Sequence, residues 1–132
     1  MKPQIVASVL ICLAVLFIRC GKDNKKWDSD FIVHNTLDNE IEVYSSAYTS
    51  SQINGQQLVA FTDVVAPNTK YVLRNIDARQ DPEMDGIFHE IKIYRGGVES
   101  PVNALENSRW TKAKVNDDKL EYTLKVDTTY FP

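Results

Sequence analysis

Lys119-Leu120-Glu121-Tyr122-Thr123-Leu124-Lys125-Val126-Asp127 alternates without a break. Leu120, Tyr122, Leu124 and Val126 fall on one side, and Glu121, Thr123, Lys125 and Asp127 on the other. A period of two is the signature of a strand with one apolar face and one wet face. Just upstream, Asn116-Asp117-Asp118 separates this run from Arg109 to Val115, so a hairpin is expected there. The same grammar extends through the chain. Ile87 to Arg95 ends at Gly96-Gly97, and Val98 starts a short return. Ala66-Pro67-Asn68-Thr69 separates Leu58 to Val65 from Lys70 to Ile76, with Pro presetting the second position of a turn. Asn54-Gly55 marks another tight turn. Phe31 to Thr36 and Glu40 to Ser45 flank Asp38-Asn39, which reads as a further hairpin. No stretch of a dozen residues carries a helical apolar period; Val102 to Ser108 has room for one short turn.

About seven or eight short strands with turn signals every 8–12 residues predict an all-β, antiparallel β-sandwich, with a small β-barrel as the alternative. The sandwich is expected over residues 31–132. Residues 21–30 hold one large apolar residue, Trp27, and read as a polar tether on which Trp27 docks against the domain. There is no internal repeat and no low-complexity segment.

The start of the chain has a different character. Met1-Lys2-Pro3-Gln4 is basic. Ile5 to Ile18 is apolar apart from Ser8, and it leads through Arg19 to Cys20 and a polar run. The apolar run is shorter than the roughly 20 residues that span a hydrocarbon core. Residues 1–19 are therefore expected to be a secretory signal peptide. The segment resembles the leader of bacterial lipoproteins. That resemblance implies lipidation of the Cys20 thiol, with Cys20 as the first residue of the mature chain and residues 20–30 as a lipid-anchored tether. Several acyl chains give stable membrane attachment where one is marginal. Phe17 and Arg19 stand where that class carries an aliphatic and a small residue. The only other cysteine is Cys12, within the leader, so the mature domain has no disulfide.

Removing residues 1–19 takes away Lys2 and Arg19 and no acid, leaving 13 basic and 18 acidic side chains, a net charge of −5. Nucleic-acid binders carry clustered positive charge, so no nucleic-acid partner is expected. About 110 residues make one domain with a single core. The whole layout resembles the small envelope lipoproteins of the Bacteroidota: leader, short tether, Ig-like or transthyretin-like sandwich. The ending Tyr122-Thr-Leu-Lys-Val-Asp-Thr-Thr-Tyr130-Phe131, with a Trp a dozen residues earlier, shares in that likeness. It implies a place in the cell envelope, held by lipid on a periplasmic or surface face; the domain itself is expected to be a monomer.

Three groups of residues are candidates for chemistry. Asp81-Pro82-Glu83-Met84-Asp85-Gly86 has acids at alternate positions followed by Gly, like the start of a calcium loop. Asp81, Glu83 and Asp85 are the candidate ligands, with Asp77 and Glu90 nearby. Lys92 occupies the place of the closing bidentate Glu, and no helices flank the segment, so it is not an EF-hand. A solvated acidic loop joining two strands is the leading reading of this segment, and the calcium site is the alternative. Tyr44, Tyr48 and Tyr94 fall on wet faces of their strands, in phase with Glu40, Glu42 and Lys92; simple packing under a neighbouring loop is the leading reading, and a glycan platform or a protein contact the alternative. Phe88 falls in the same phase as Tyr94. His89, in phase with Ile87, Ile91 and Ile93, is expected to point inward, and His34 to face solvent. No nucleophile elbow and no His/Cys cluster of metal spacing is present. The expectation is a non-catalytic, lipid-anchored envelope protein with an interaction or structural role. A calcium- or glycan-binding module stands second, and an envelope enzyme or enzyme inhibitor third.

Overall fold

The computed structural model describes residues 25–51 and 55–132. Eight strands run in chain order: β1 (Lys26–Asn35), β2 (Ile41–Ser51), β3 (Gly55–Val65), β4 (Thr69–Arg79), β5 (Glu90–Arg95), β6 (Val98–Glu99), β7 (Trp110–Lys114) and β8 (Lys119–Val126). One helical turn, α1 (Met84–Ile87), lies between β4 and β5. The strands form two four-stranded sheets, ordered β4-β1-β8-β7 and β3-β2-β5-β6. They pack face to face as a β-sandwich. Both sheets end in free edges among the described residues, so the alternative of a closed barrel does not hold.

The alternating stretch is the central strand β8, and Leu120, Tyr122, Leu124 and Val126 are all buried. It pairs antiparallel with β7 and parallel with β1. The parallel pair departs from the all-antiparallel expectation. First and last strands lie side by side, and the intervening chain supplies the long crossover that parallel neighbours need.

Phe31 on β1 is the hub of the core. Its ring stacks on Tyr122 at 5.2 Å and meets Phe88 and Trp110 edge-on at 5.8 and 6.3 Å. Phe88 and Trp110 stack at 6.1 Å. Such offset and T-shaped contacts suit the aromatic quadrupole and add to area burial.

Two of the expected turns carry the chain between sheets, and one of them, Asp38-Asn39, does so in place of the expected hairpin. β1 and β2 lie in different sheets, as do β3 and β4. Asn35, fully buried, holds both crossings. Its Nδ2 donates to the carbonyls of Asn39 at 2.8 Å, Val65 at 3.1 Å and Ala66 at 3.2 Å. Its Oδ1 accepts from the Leu37 amide at 3.0 Å. Leu37, Asn39 and Ala66 lie outside the strands and Val65 ends β3, and the amide meets hydrogen-bonding needs there in place of water. The Pro67-Asn68 turn is present, with Asn68 at φ 55°. Gly96 and Gly97, at φ 55° and 78°, close the β5–β6 hairpin, a backbone hand that glycine adopts without strain. β7 and β8 form the expected hairpin, and the Val102–Ser108 segment holds a single turn followed by a 3₁₀ turn at Asn107–Arg109.

The domain starts earlier than residue 31. Lys26 to Asp30 belong to β1. They pair with Asn75 to Arg79 on β4, and from Asp28 onward with β8 starting at Lys119. Trp27 packs against the core, with the Lys25 ammonium 3.9 Å from its ring centroid. The docking of Trp27 agrees with expectation; the extent of the tether does not. A polar alternation that pairs with neighbouring strands needs no apolar run of its own.

Candidate functional site

α1 reshapes the acidic segment. Its first amide, Met84 N, donates to Asn107 Oδ1 at 2.8 Å, and Asn107 Nδ2 donates to a Glu83 carboxylate oxygen. The turn sends Met84, Ile87 and Phe88 into the core. It also resets the strand phase before β5 begins at Glu90. Phe88, expected on a wet face, is therefore buried, and His89, expected inward, is exposed. His89 meets Tyr48 edge-on at 5.2 Å. His34 lies half-buried on the outer face of its sheet, opposite Lys70 and Lys125.

The candidate calcium ligands are drawn apart. Asp81, at φ 55°, pairs with Lys112 at 2.7 Å, and its amide donates to Tyr122 Oη at 3.0 Å. Glu83 is taken up by Asn107, and Asp85 projects to solvent from α1. Asp77 sits on β4, opposite Asp28, and Glu90 pairs with Lys92 at 3.4 Å. No group of three or more His, Cys, Asp or Glu side chains among the described residues is placed to hold a metal ion. This arrangement favours the solvated loop over a calcium site: a hard cation needs six to eight oxygens around one point, and here Asp81 is paired with Lys112 and Glu83 with Asn107. We expect millimolar calcium to move the melting temperature no more than sodium chloride of equal ionic strength, and Asp85→Ala to leave that result unchanged. A calcium-specific rise lost in Asp85→Ala would reverse this conclusion.

Behind the loop is a half-open cavity of about 250 Å³, lined by Asp81, Pro82, Glu83, Met84, Asn107, Trp110, Lys112 and Tyr122. Its polar groups already satisfy one another. Trp110 Nε1 donates to Ala104 O at 2.8 Å, and burial pushes the Tyr122 phenol above its ordinary range. The cavity is a seam between loop and core, smaller than the roughly 300 Å³ at which small-molecule sites begin.

Tyr44, Tyr48 and Tyr94 do share the outer face of the β3-β2-β5-β6 sheet. Tyr44 lies opposite Lys92, and Tyr94 opposite Glu42. Tyr48 stands four residues along β2 from Tyr44, about 13 Å at strand rise. Among the described residues no ring of the three packs on another. Ser46, between Tyr44 and Tyr48, is buried with its hydroxyl unpartnered among the described residues. Strand alternation places the tyrosines on one surface without building a continuous platform.

The strongest surface feature was not among the sequence candidates. β3 is the edge of its sheet, paired only with β2, and its register with β2 runs unbroken from Gly55 to Val65. Leu58, Phe61 and Val64 are 49 %, 61 % and 56 % exposed. Leu58, Ala60, Thr62 and Val64 alternate with Val59, Phe61 and Asp63, so apolar side chains stand on both faces. Asp63 is the strand's one charge, and it accepts a hydrogen bond from Tyr71 Oη at 2.8 Å. That bond holds the Tyr71 phenol above its usual range. It also ties β3 to β4, the edge of the other sheet, on the same side of the sandwich. Tyr71 and Val72 on β4 extend the apolar surface. Edge strands are normally blunted by Lys, Pro, a bulge, an inward-pointing charge or a cover; among the described residues β3 carries one of these, Asp63, whose carboxylate is taken up by Tyr71. From sequence alone a run such as Leu58-Val-Ala-Phe61 reads the same whether its strand is central or at an edge, because strand order is not local.

Cys20 and the expected leader, residues 1–19, lie outside the described residues. No helix among the described residues is long and apolar enough to cross a membrane. Searches against protein-family models, curated proteins and solved structures found no match.

Proposed function

We propose that this protein is a non-catalytic, lipid-anchored envelope module that binds a protein partner by strand addition at the β3 edge. The observation that carries the reading is β3 itself: an eleven-residue edge strand, nearly free of charge, with Leu58, Phe61 and Val64 each about half exposed or more. Main-chain groups on the open side of an edge strand supply affinity, and alternate side chains supply specificity. Anchoring at Cys20 confines the module to a membrane, which suits a protein that works by contact. The tether between anchor and sandwich is short, because β1 begins at Lys26. Residues 21–25, fully extended, reach about 18 Å.

Two measurements test this reading. Metabolic labelling with a palmitate analogue is expected to mark the wild-type protein and not Cys20→Ser, and Arg19→Ala is expected to speed processing. A photoreactive amino acid at position 58 is expected to give a protein adduct in the producing cells, while one at exposed Val115 on the β7–β8 loop gives none. An unlabelled wild-type protein ends the anchoring part. The absence of any adduct at position 58 ends the edge-strand part.

A further inference from the structure

We infer that the partner seated on β3 is a second copy of the same chain, paired antiparallel about a two-fold axis at Phe61. The inference rests on the edge-strand reading above and adds the identity and register of the occupant.

Self-complementarity is the first argument. A two-fold axis perpendicular to the sheet places residues on the same face opposite each other. Centred on Phe61, it sets Leu58 against Val64 of the second copy, Ala60 against Thr62, and Phe61 against itself. Cross-strand pairs of apolar side chains are the stabilising unit of a sheet. No like charges meet: Asp63 falls opposite Val59 and keeps its bond to Tyr71. The result is a continuous eight-stranded sheet in which both β3 strands become interior. A C2 contact of this kind closes on itself and leaves no growing end.

Area is the second argument. β3 and β4, each eleven residues long, form one wall on the open side of the sandwich. At strand rise the wall is about 36 Å long. Two strips each about 10 Å wide give roughly 700 Å². A standard interface buries about 800 Å² per partner, so the wall suffices for a reversible dimer when most of it is covered. Phe61 explains why the lower strip takes part. It alternates with the outward residues and so points toward the second sheet, yet it is the most exposed large apolar side chain on β3. In the dimer the two Phe61 rings fill the gap between the paired β3 strands and the β4 edges that the same axis brings face to face.

The test is sedimentation of the full-length chain in mild detergent, with a charge swap that reads the register. The wild type is expected to sediment as a dimer at high micromolar concentration. Leu58→Lys and Val64→Glu, each alone, are expected to weaken the dimer at least about tenfold, as charges placed on an apolar edge do. Their own melting temperatures should stay near wild type, since both positions are exposed. The double variant Leu58→Lys/Val64→Glu is expected to recover the dimer, because position 58 then meets position 64 of the second copy in two ion pairs. Within one chain the two residues are about 20 Å apart and cannot compensate. Val115→Lys serves as the control and should remain dimeric. A monomeric wild type, open-ended aggregates, single variants without effect, or a double variant that stays monomeric would each overturn the inference. A heterologous adduct at position 58 together with a monomeric wild type overturns self-pairing and leaves the edge-strand function standing. Loss of every adduct ends both.

Discussion

Leu124→Asp is expected to unfold the domain, and Lys125→Asp, one residue on, to leave it intact. Leu124 is fully buried at the centre of β8, opposite Trp110 on β7 and Val33 on β1. A carboxylate there has no partner and no water. The penalty combines lost apolar burial with the desolvation of an unpaired charge, about 4–5 kcal/mol or more. A domain of this size has about 5–15 kcal/mol in total. Lys125 projects from the outer face, and its replacement should cost within about 0.5 kcal/mol. Thermal melts followed by far-ultraviolet circular dichroism separate the two cases. Equal damage from both changes would mean that β8 does not have one buried face.

The second large effect is expected at Asn35. Asn35→Leu keeps the volume approximately and removes four hydrogen bonds that serve backbone groups of both inter-sheet crossings. Each buried group left without a partner costs about 1–3 kcal/mol, so a loss of about 3 kcal/mol or more is expected. Asn35→Asp separates shape from donor. The carboxylate keeps the acceptor for Leu37 and loses the donor, and it faces three carbonyl oxygens. Burial among acceptors raises the folded-state pKa of that aspartate above its unfolded value near 4. The folded state then binds the proton more tightly than the unfolded state. The variant should therefore be closest to wild type below about pH 4, where the acid can donate, and lose ground as pH rises toward 7. Urea melts at both pH values check the sign. A variant as stable as wild type at pH 7 would show that the amide donor holds nothing.

Much of the fold was legible because strand alternation is a local property. Leu120 to Val126 names its own buried face. Gly96-Gly97 names its hairpin, since few other residues reach positive φ at two consecutive positions. Local reading failed where a distant group decided the outcome. Asp38-Asn39 and Pro67-Asn68 are turns, as their composition says, but whether a turn joins neighbours in one sheet or crosses to the other depends on Asn35. Phe88 and His89 exchanged places because Asn107, about twenty residues downstream, caps one helical turn and shifts the phase of the strand after it. The acids of that segment looked like a ligand set until Lys112 and Asn107 took two of them.

By itself, the sequence determined that this is an all-β chain with alternating faces, that residues 21–132 contain no cysteine to form a disulfide, and that a 14-residue stretch without charge, Ile5 to Ile18, precedes Cys20. Each of these depends on residue order over a few positions. Only the tertiary structure decided which strands are central and which are edges. Leu58-Val-Ala-Phe61 is as apolar as Phe31-Ile-Val33, yet Phe31 and Val33 are fully buried and Phe61 is mostly exposed. The difference is pairing: β1 has neighbours on both sides and the opposite sheet beneath it, while β3 has a neighbour on one side. Hydrophobicity states that a side chain gains from burial; strand order states whether there is anything within the same molecule to bury it.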